Sequence, residues 1–397
     1  MHRVFVSLAC CAGICVSSGC RNPEDDTRFP GTSALDHSDN PHPDNPQIEL
    51  TLLRIVGSRD GLVSFGQIGR GAIREDGLFV ISDPKSCELH FFDGQSTALL
   101  GTFGRCGNGP GEFRAVMSLQ FVGDTLIAFD ASTSQLVAIL PPSTELARRS
   151  VIPHSSSHAR PTQMLVANDS QLVGTAPVVP TKSRPDSARN ELLLVVDRTS
   201  GNVTHRALRP PPVGEDNDFA FLNNAEICLR PGHGRPTLVL AMNHWRFQAA
   251  ILTMPRLALS GSISSDVPWI HPRALPRSQP GRAPSSYAAG IACAQNVAFL
   301  WHRERVVDPT RQKVPSFRME AWTYSGTRLL ALETSSIGDV LLDRILAASD
   351  DRILLRGLTG GGTPVVMDFA IRWPHQIRMQ SGRRGGDQSG SILSTEP

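Results

Sequence analysis

The feature that most constrains this chain is a strand rhythm. Apolar stretches of strand length recur in threes with turn-forming residues between them, and the group of three recurs six times between Gly66 and Trp373. The first unit runs through LFVISDP and ELHFFDG, the second through TLIAFDAS and QLVAILPP, and the last through DRILAASDD, RILLRGLTG and VVMDFAIRW. Successive middle strands begin at Leu78, Thr125, Gln171, Thr237, Val297 and Arg352, a spacing of 46 to 66 residues. Helical periodicity is nearly absent, and Asp-Gly, Ser-Gly and Asp-Asp pairs stand where hairpin turns need them. A chain that repeats small antiparallel units must bury each against the next.

Six units of this size imply an all-β fold, a six-bladed β-propeller of four-stranded blades. The last unit lacks an outermost strand, because the chain turns polar after Trp373. A spare strand, IELTLLRIVG, lies at Ile48 to Gly57 and resembles the outer strand of the first unit, STALLGTFG. Each is followed by a Gly-rich turn leading to Phe65 or Phe113. The N-terminal strand is therefore expected to complete the sixth blade and remove an open edge. The propeller is assigned to residues 48–378.

The N-terminus carries an export pattern. His2 and Arg3 precede an apolar run from Val4 to Val16, too short to span a bilayer, and Ser17-Ser18-Gly19-Cys20 follows. Residues 1–19 read as a signal peptide. Small residues ending in Cys resemble a lipobox, which implies Cys20 as the lipidated residue; Ser17 departs from the aliphatic usual there. An acyl chain contributes ~0.8 kcal/mol per buried methylene. The alternative is an ordinary secretory signal cleaved near Gly19. Residues 20–47 read as a lipidated, disordered tether and 379–397 as a disordered tail. The expected location is the bacterial cell envelope, with the membrane reached through the lipid anchor.

Eight cysteines are present, but Cys10, Cys11, Cys15 and Cys20 belong to the export segment. Cys87, Cys106, Cys228 and Cys293 remain, with no zinc-type spacing. An oxidising compartment allows two disulfides among three pairings; Cys87–Cys106 is favoured over Cys228–Cys293.

Charge excludes one class of partner. The formal net charge is +2, so no nucleic-acid partner is expected. Arginine supplies all but three of the basic residues, which reads as composition bias.

The segment Gly104-Arg105-Cys106-Gly107-Asn108-Gly109-Pro110-Gly111-Glu112-Phe113 resembles the GRxGxGPGEF turn of bacterial six-bladed β-propeller proteins related to NHL repeats. The resemblance is clearest from Ile48 to about Leu140 and implies an envelope lipoprotein, since many members are. Glu112 reads as a carboxylate accepting turn amides rather than a ligand.

No GxSxG, Walker loop, HExxH or EF-hand occurs, and no catalytic residue, cofactor or metal is assigned. Some six-bladed relatives are lactonases or lyases with a channel metal, a role for which Asn223, Asn224 and Glu226 are the candidates. The turns after the fourth and fifth middle strands read Asn243-His244-Trp245 and Trp301-His302-Arg303. Both would face one side of the ring, making His244, Trp245, Trp301, His302 and Arg303 a candidate surface for a peptide, glycan or envelope protein. The alternative is that the tryptophans pack between blades while the histidines are solvated. The favoured function is a binding or scaffold module; the alternative is a channel-centred hydrolase or lyase.

Overall fold

A computed structural model describes residues 49–57, 63–96, 98–141, 145–151, 161–175, 191–208, 225–231, 237–242, 248–265, 288–303, 317–334 and 336–373. The signal peptide, Cys20, the tether, the tail, Asn223, Asn224, His244 and Trp245 lie outside the described residues. Among the described residues there are strands and turns, and no helix long and apolar enough to cross a membrane.

The strand β1 (Glu49–Val56) comes first. The first sheet follows as β2 (Gly71–Ile73), β3 (Phe79–Asp83), β4 (Glu88–Phe92) and β5 (Leu99–Phe103). The second comprises β6 (Val116–Val122), β7 (Thr125–Asp130), β8 (Gln135–Leu140) and β9 (Glu145–Val151). The third is β10 (Gln163–Val166), β11 (Gln171–Thr175), β12 (Glu191–Asp197) and β13 (Val203–Leu208). The fourth is β14 (Ala225–Leu229), β15 (Thr237–Met242), β16 (Gln248–Thr253) and β17 (Ala258–Ser264). The fifth is β18 (Ala288–Cys293), β19 (Val297–Arg303), β20 (Phe317–Thr323) and β21 (Arg328–Thr334). The sixth holds β22 (Ser336–Ile337), β23 (Val340–Ala348), β24 (Arg352–Leu358) and β25 (Pro364–Arg372), with β1 added antiparallel beyond β25.

All pairings within these sheets are antiparallel between sequence neighbours, apart from that of β1 with β25. The leading strands touch in sequence: β2 meets β6, β6 meets β10, β10 meets β14, β14 meets β18, β18 meets β23, and β23 returns to β2. Antiparallel sheets radiating from a ring of inner strands define a β-propeller.

Apolar packing between the sheets holds the ring. One cluster joins Leu78, Val80 and Phe91 of the first sheet region to Leu119, Ala128 and Ile139 of the second. Others join the second to the third, the third to the fourth, the fourth to the fifth, the fifth to the sixth and the sixth to the first. A strand inside such a stack is covered on both faces. All five residues of β3 are accordingly buried, whereas the outer strand β5 has no fully buried residue. This is why interior strands read as unbroken apolar runs rather than alternating ones.

The likeness between the two early repeats has a steric cause. Gly57 and Gly104 adopt φ of 96° and 107°. A Cβ at Gly57 would lie 2.7 Å from the Phe65 ring, and one at Gly104 would lie 2.8 Å from Phe113. Both phenylalanines are buried, each plugging one sheet junction. Two buried aspartates do equivalent work at the ends of β3 and β7. Asp83 accepts hydrogen bonds from the amides of Gly66, Gln67 and Lys85, and Asp130 from those of Arg114, Ala115 and Ser132. Each carboxylate ties the loop entering a sheet to the turn leaving its second strand.

The junction between the sixth and first sheets is also ionic. Asp368 on β25 is wholly buried and accepts from Arg54 Nε on β1 at 2.7 Å and from Arg352 Nε on β24 at 3.2 Å. Both guanidiniums reach on to the Gly94 carbonyl of the first sheet, and Arg352 also to that of Gly77. Two disulfides are formed, Cys87–Cys106 and Cys228–Cys293. The first closes the turn region of one sheet onto itself, and the second joins β14 to β18, inner strands of neighbouring sheets.

Candidate functional site

The surface suggested by the Trp-His-Arg sequence needs correction. Trp301 and His302 belong to β19 itself, not to the turn after it, and are 1% and 6% exposed. Strand alternation turns Val297, Phe299 and Trp301 toward the sixth sheet and Ala298 and Leu300 toward the fourth. Trp301 is thus packing between sheets, and His302 is buried where the packing alternative had the histidines solvated. Burial, reinforced by the neighbouring Arg318, pushes the His302 imidazole down to about 3. Arg303 closes β19, and His244 and Trp245 lie outside the described residues.

The Gly104–Phe113 turn is a structural device. Glu112 Oε1 accepts from Arg105 Nε at 2.7 Å, and Oε2 accepts from the Gly109 amide at 2.6 Å. The Gly109 amide first, then Arg105, hold the Glu112 carboxyl below its ordinary range. Gly107 and Gly111 take positive φ, Pro110 is exposed at the tip, and the Cys87–Cys106 bridge anchors the base. The carboxylate spends its lone pairs on its own loop.

Charge converges instead on the ring axis. Arg70 directly precedes β2, Glu226 lies on β14, and Asp343 and Arg344 lie on β23; all three strands are inner strands. Arg356 joins them from β24. Arg70 Nη1 donates to Glu226 Oε1 at 3.2 Å, and the same oxygen meets Arg344 Nη2. Because the first and fourth sheets are three steps apart around the ring, the Arg70–Glu226 pair crosses the axis. Arg356 binds both oxygens of Asp343 at 2.7 Å and donates to the Ile68 carbonyl at 2.8 Å.

Glycine makes room for this arrangement. A Cβ at Gly290 on β18 would come within 2.8 Å of Ile345 Cγ2 and 3.7 Å of Arg344 Cγ. On the other side, Gln163 of β10 is buried and its Oε1 accepts from the Ile227 amide at 3.2 Å, fixing the strand that carries Glu226.

Three guanidiniums therefore face two carboxylates. Arg356 and Asp343 form a closed bidentate pair, which leaves Glu226 shared between Arg70 and Arg344. Burial, and then the charge of Arg356, lowers Arg70 to about 10; burial and repulsion from Arg70 and Arg356 lower Arg344 well below the ordinary guanidinium range. The arrangement suits the recognition of negative charge. It suits cation binding poorly, because any metal at Glu226 would compete with two guanidiniums. Among the described residues no cluster of three or more His, Cys, Asp or Glu forms.

No family model and no curated protein matches the sequence. Solved structures do match in fold. A Bacteroides fragilis protein assigned as exported superposes with a TM-score of 0.53 at 12% identity, over 82% of this chain and 95% of that one. The PQQ-bound aldose sugar dehydrogenase of Streptomyces coelicolor gives 0.46 at 12% identity, over 83% and 100%. A β-propeller domain from Myceliophteria thermophila gives 0.47 at 10%, over 80% and 98%. At these identities the likeness concerns fold alone.

Proposed function

We propose that the chain is an envelope-anchored, six-bladed β-propeller of the NHL-related kind, closed by its N-terminal strand, that works as a binding module rather than an enzyme. The six sheets and the pairing of β1 with β25 support the blade count and the closure. The export pattern and the two disulfides support the envelope, where cysteines oxidise. Cys20 is the proposed anchor.

The observation that carries the binding reading is the neutralisation of Glu226 by Arg70 and Arg344 at the ring axis. A lactonase-like centre needs a carboxylate free to take a metal, or one poised as a base. Here the carboxylate described at the axis on β14 is held by guanidiniums. Outside the axis, the segment with His244 and Trp245 stays a proposed contact surface for a peptide, glycan or envelope protein, while Trp301 and His302 do not.

The test is metal dependence. Titration with Ca²⁺, Mn²⁺ or Zn²⁺ is expected to leave the melting temperature unchanged and lactone hydrolysis at background. Metal-dependent stabilisation and hydrolysis, both abolished by Glu226→Gln, would establish the channel-centred enzyme instead.

A further inference from the structure

We infer that the ring axis is a binding site for a carboxylate group, held by Arg70 and Arg344 beside Glu226. This deepens the binding-module reading and rests on it. Arg70 carries five N–H donors and, among the described residues, uses one, on Glu226. The Arg344 guanidinium pairs with Glu226 alone among them. Arg356, by contrast, donates from all three of its nitrogens, to Asp343 and the Ile68 carbonyl. Two guanidiniums with unused donors thus flank one carboxylate, at side-chain exposures of 21% and 24%.

The occupant follows from the charge and from the shape of what is already there. Glu226 against Arg70 and Arg344 leaves one positive charge uncompensated, which a monoanion neutralises and a dianion exceeds. The guanidiniums are already spaced to share a carboxylate, and guanidinium forks match that planar group with paired hydrogen bonds. Their location matters as well. Arg70 and Arg344 come from the first and sixth sheets and Glu226 from the fourth, so a ligand there would touch three sheets at once.

The probe is acetate, titrated into the purified full chain at constant ionic strength with chloride as the reference, and read by thermal melting. Acetate is expected to stabilise saturably beyond chloride. Arg344→Gln is expected to weaken that binding about tenfold, the scale of one charged hydrogen bond. Glu226→Gln is expected to act in the opposite direction, tightening acetate about fivefold by removing the competing internal anion. A purely structural role for the cluster would not produce that inversion. Acetate behaving like chloride in both the wild type and Glu226→Gln would overturn the inference, and a preference for phosphate over acetate would overturn the carboxylate assignment. Neither outcome depends on the metal titration, so failure here is distinguishable from failure of the binding-module reading.

Discussion

Removing the Asp368 carboxylate tests how the last sheet is tied to the first. Asp368 is fully buried between Arg54 and Arg352, whose side chains are only 8% and 9% exposed. Asp368→Ala leaves two buried guanidiniums without their anion, a loss of about 3–5 kcal/mol for a broken buried pair. The carbonyls of Gly77 and Gly94 still accept from them, so the lower end of that range applies. At about 2 °C per kcal/mol for a domain of this size, the melting temperature should fall by roughly 6 °C. Glu49→Ala is the matched control on the same strand pair. Its partner Arg372 is 3.8 Å away and both side chains are exposed, so the expected change is below about 2 °C. Replacing the trio by Leu at Asp368 and Met at Arg54 and Arg352 should recover much of the loss. Scanning calorimetry reads all three variants. An Asp368→Ala protein melting with the control would refute the ionic tie, and a trio variant no better than Asp368→Ala would refute uncompensated charge as the cause.

Acid should destabilise the ring through His302. Its folded value is about 3 against roughly 6.5 unfolded, so its contribution is whole above about pH 6.5 and shrinks as pH falls toward 3; His302→Gln should flatten the pH dependence of the urea midpoint, and an unchanged slope would contradict this. Reduction should cost more at Cys228–Cys293 than at Cys87–Cys106, since their loops of 65 and 19 residues correspond to about 4 and 3 kcal/mol; single Cys→Ser pairs compared by chemical denaturation give the order. Cys20→Ser should release the protein from the membrane fraction or leave it unprocessed, whereas unchanged fractionation with no acyl mass on the wild type would remove the anchor.

The fold was legible for a physical reason. Strands covered on both faces, such as Phe79–Asp83 and Thr125–Asp130, are apolar on consecutive residues rather than on alternate ones, so their runs survive in the sequence. The Gly104–Phe113 turn was legible because its partners are local, with Glu112 bonded to Arg105 and Gly109 within seven residues. The axial cluster was hidden for the opposite reason: Arg70 and Glu226 lie 156 residues apart, and in a chain whose basic residues are nearly all arginine no single one stands out. Only aligning the inner strands, which carry Glu226 and Arg344 and follow directly on Arg70, could have raised it. The Trp-His-Arg segment misled because two polar residues resemble a turn. Seven-residue β19 extends through them and buries Trp301 by alternation.

The central proposal, that the ring is closed by its N-terminal strand, is tested most directly by comparing two truncations. Deleting Glu49–Val56 strips β25 of its outer partner and removes Arg54 from Asp368, while deleting residues 21–42 touches no described strand. The account expects the first to lower the melting temperature sharply and the second to leave it unchanged. Equal melting temperatures for the two proteins would contradict it.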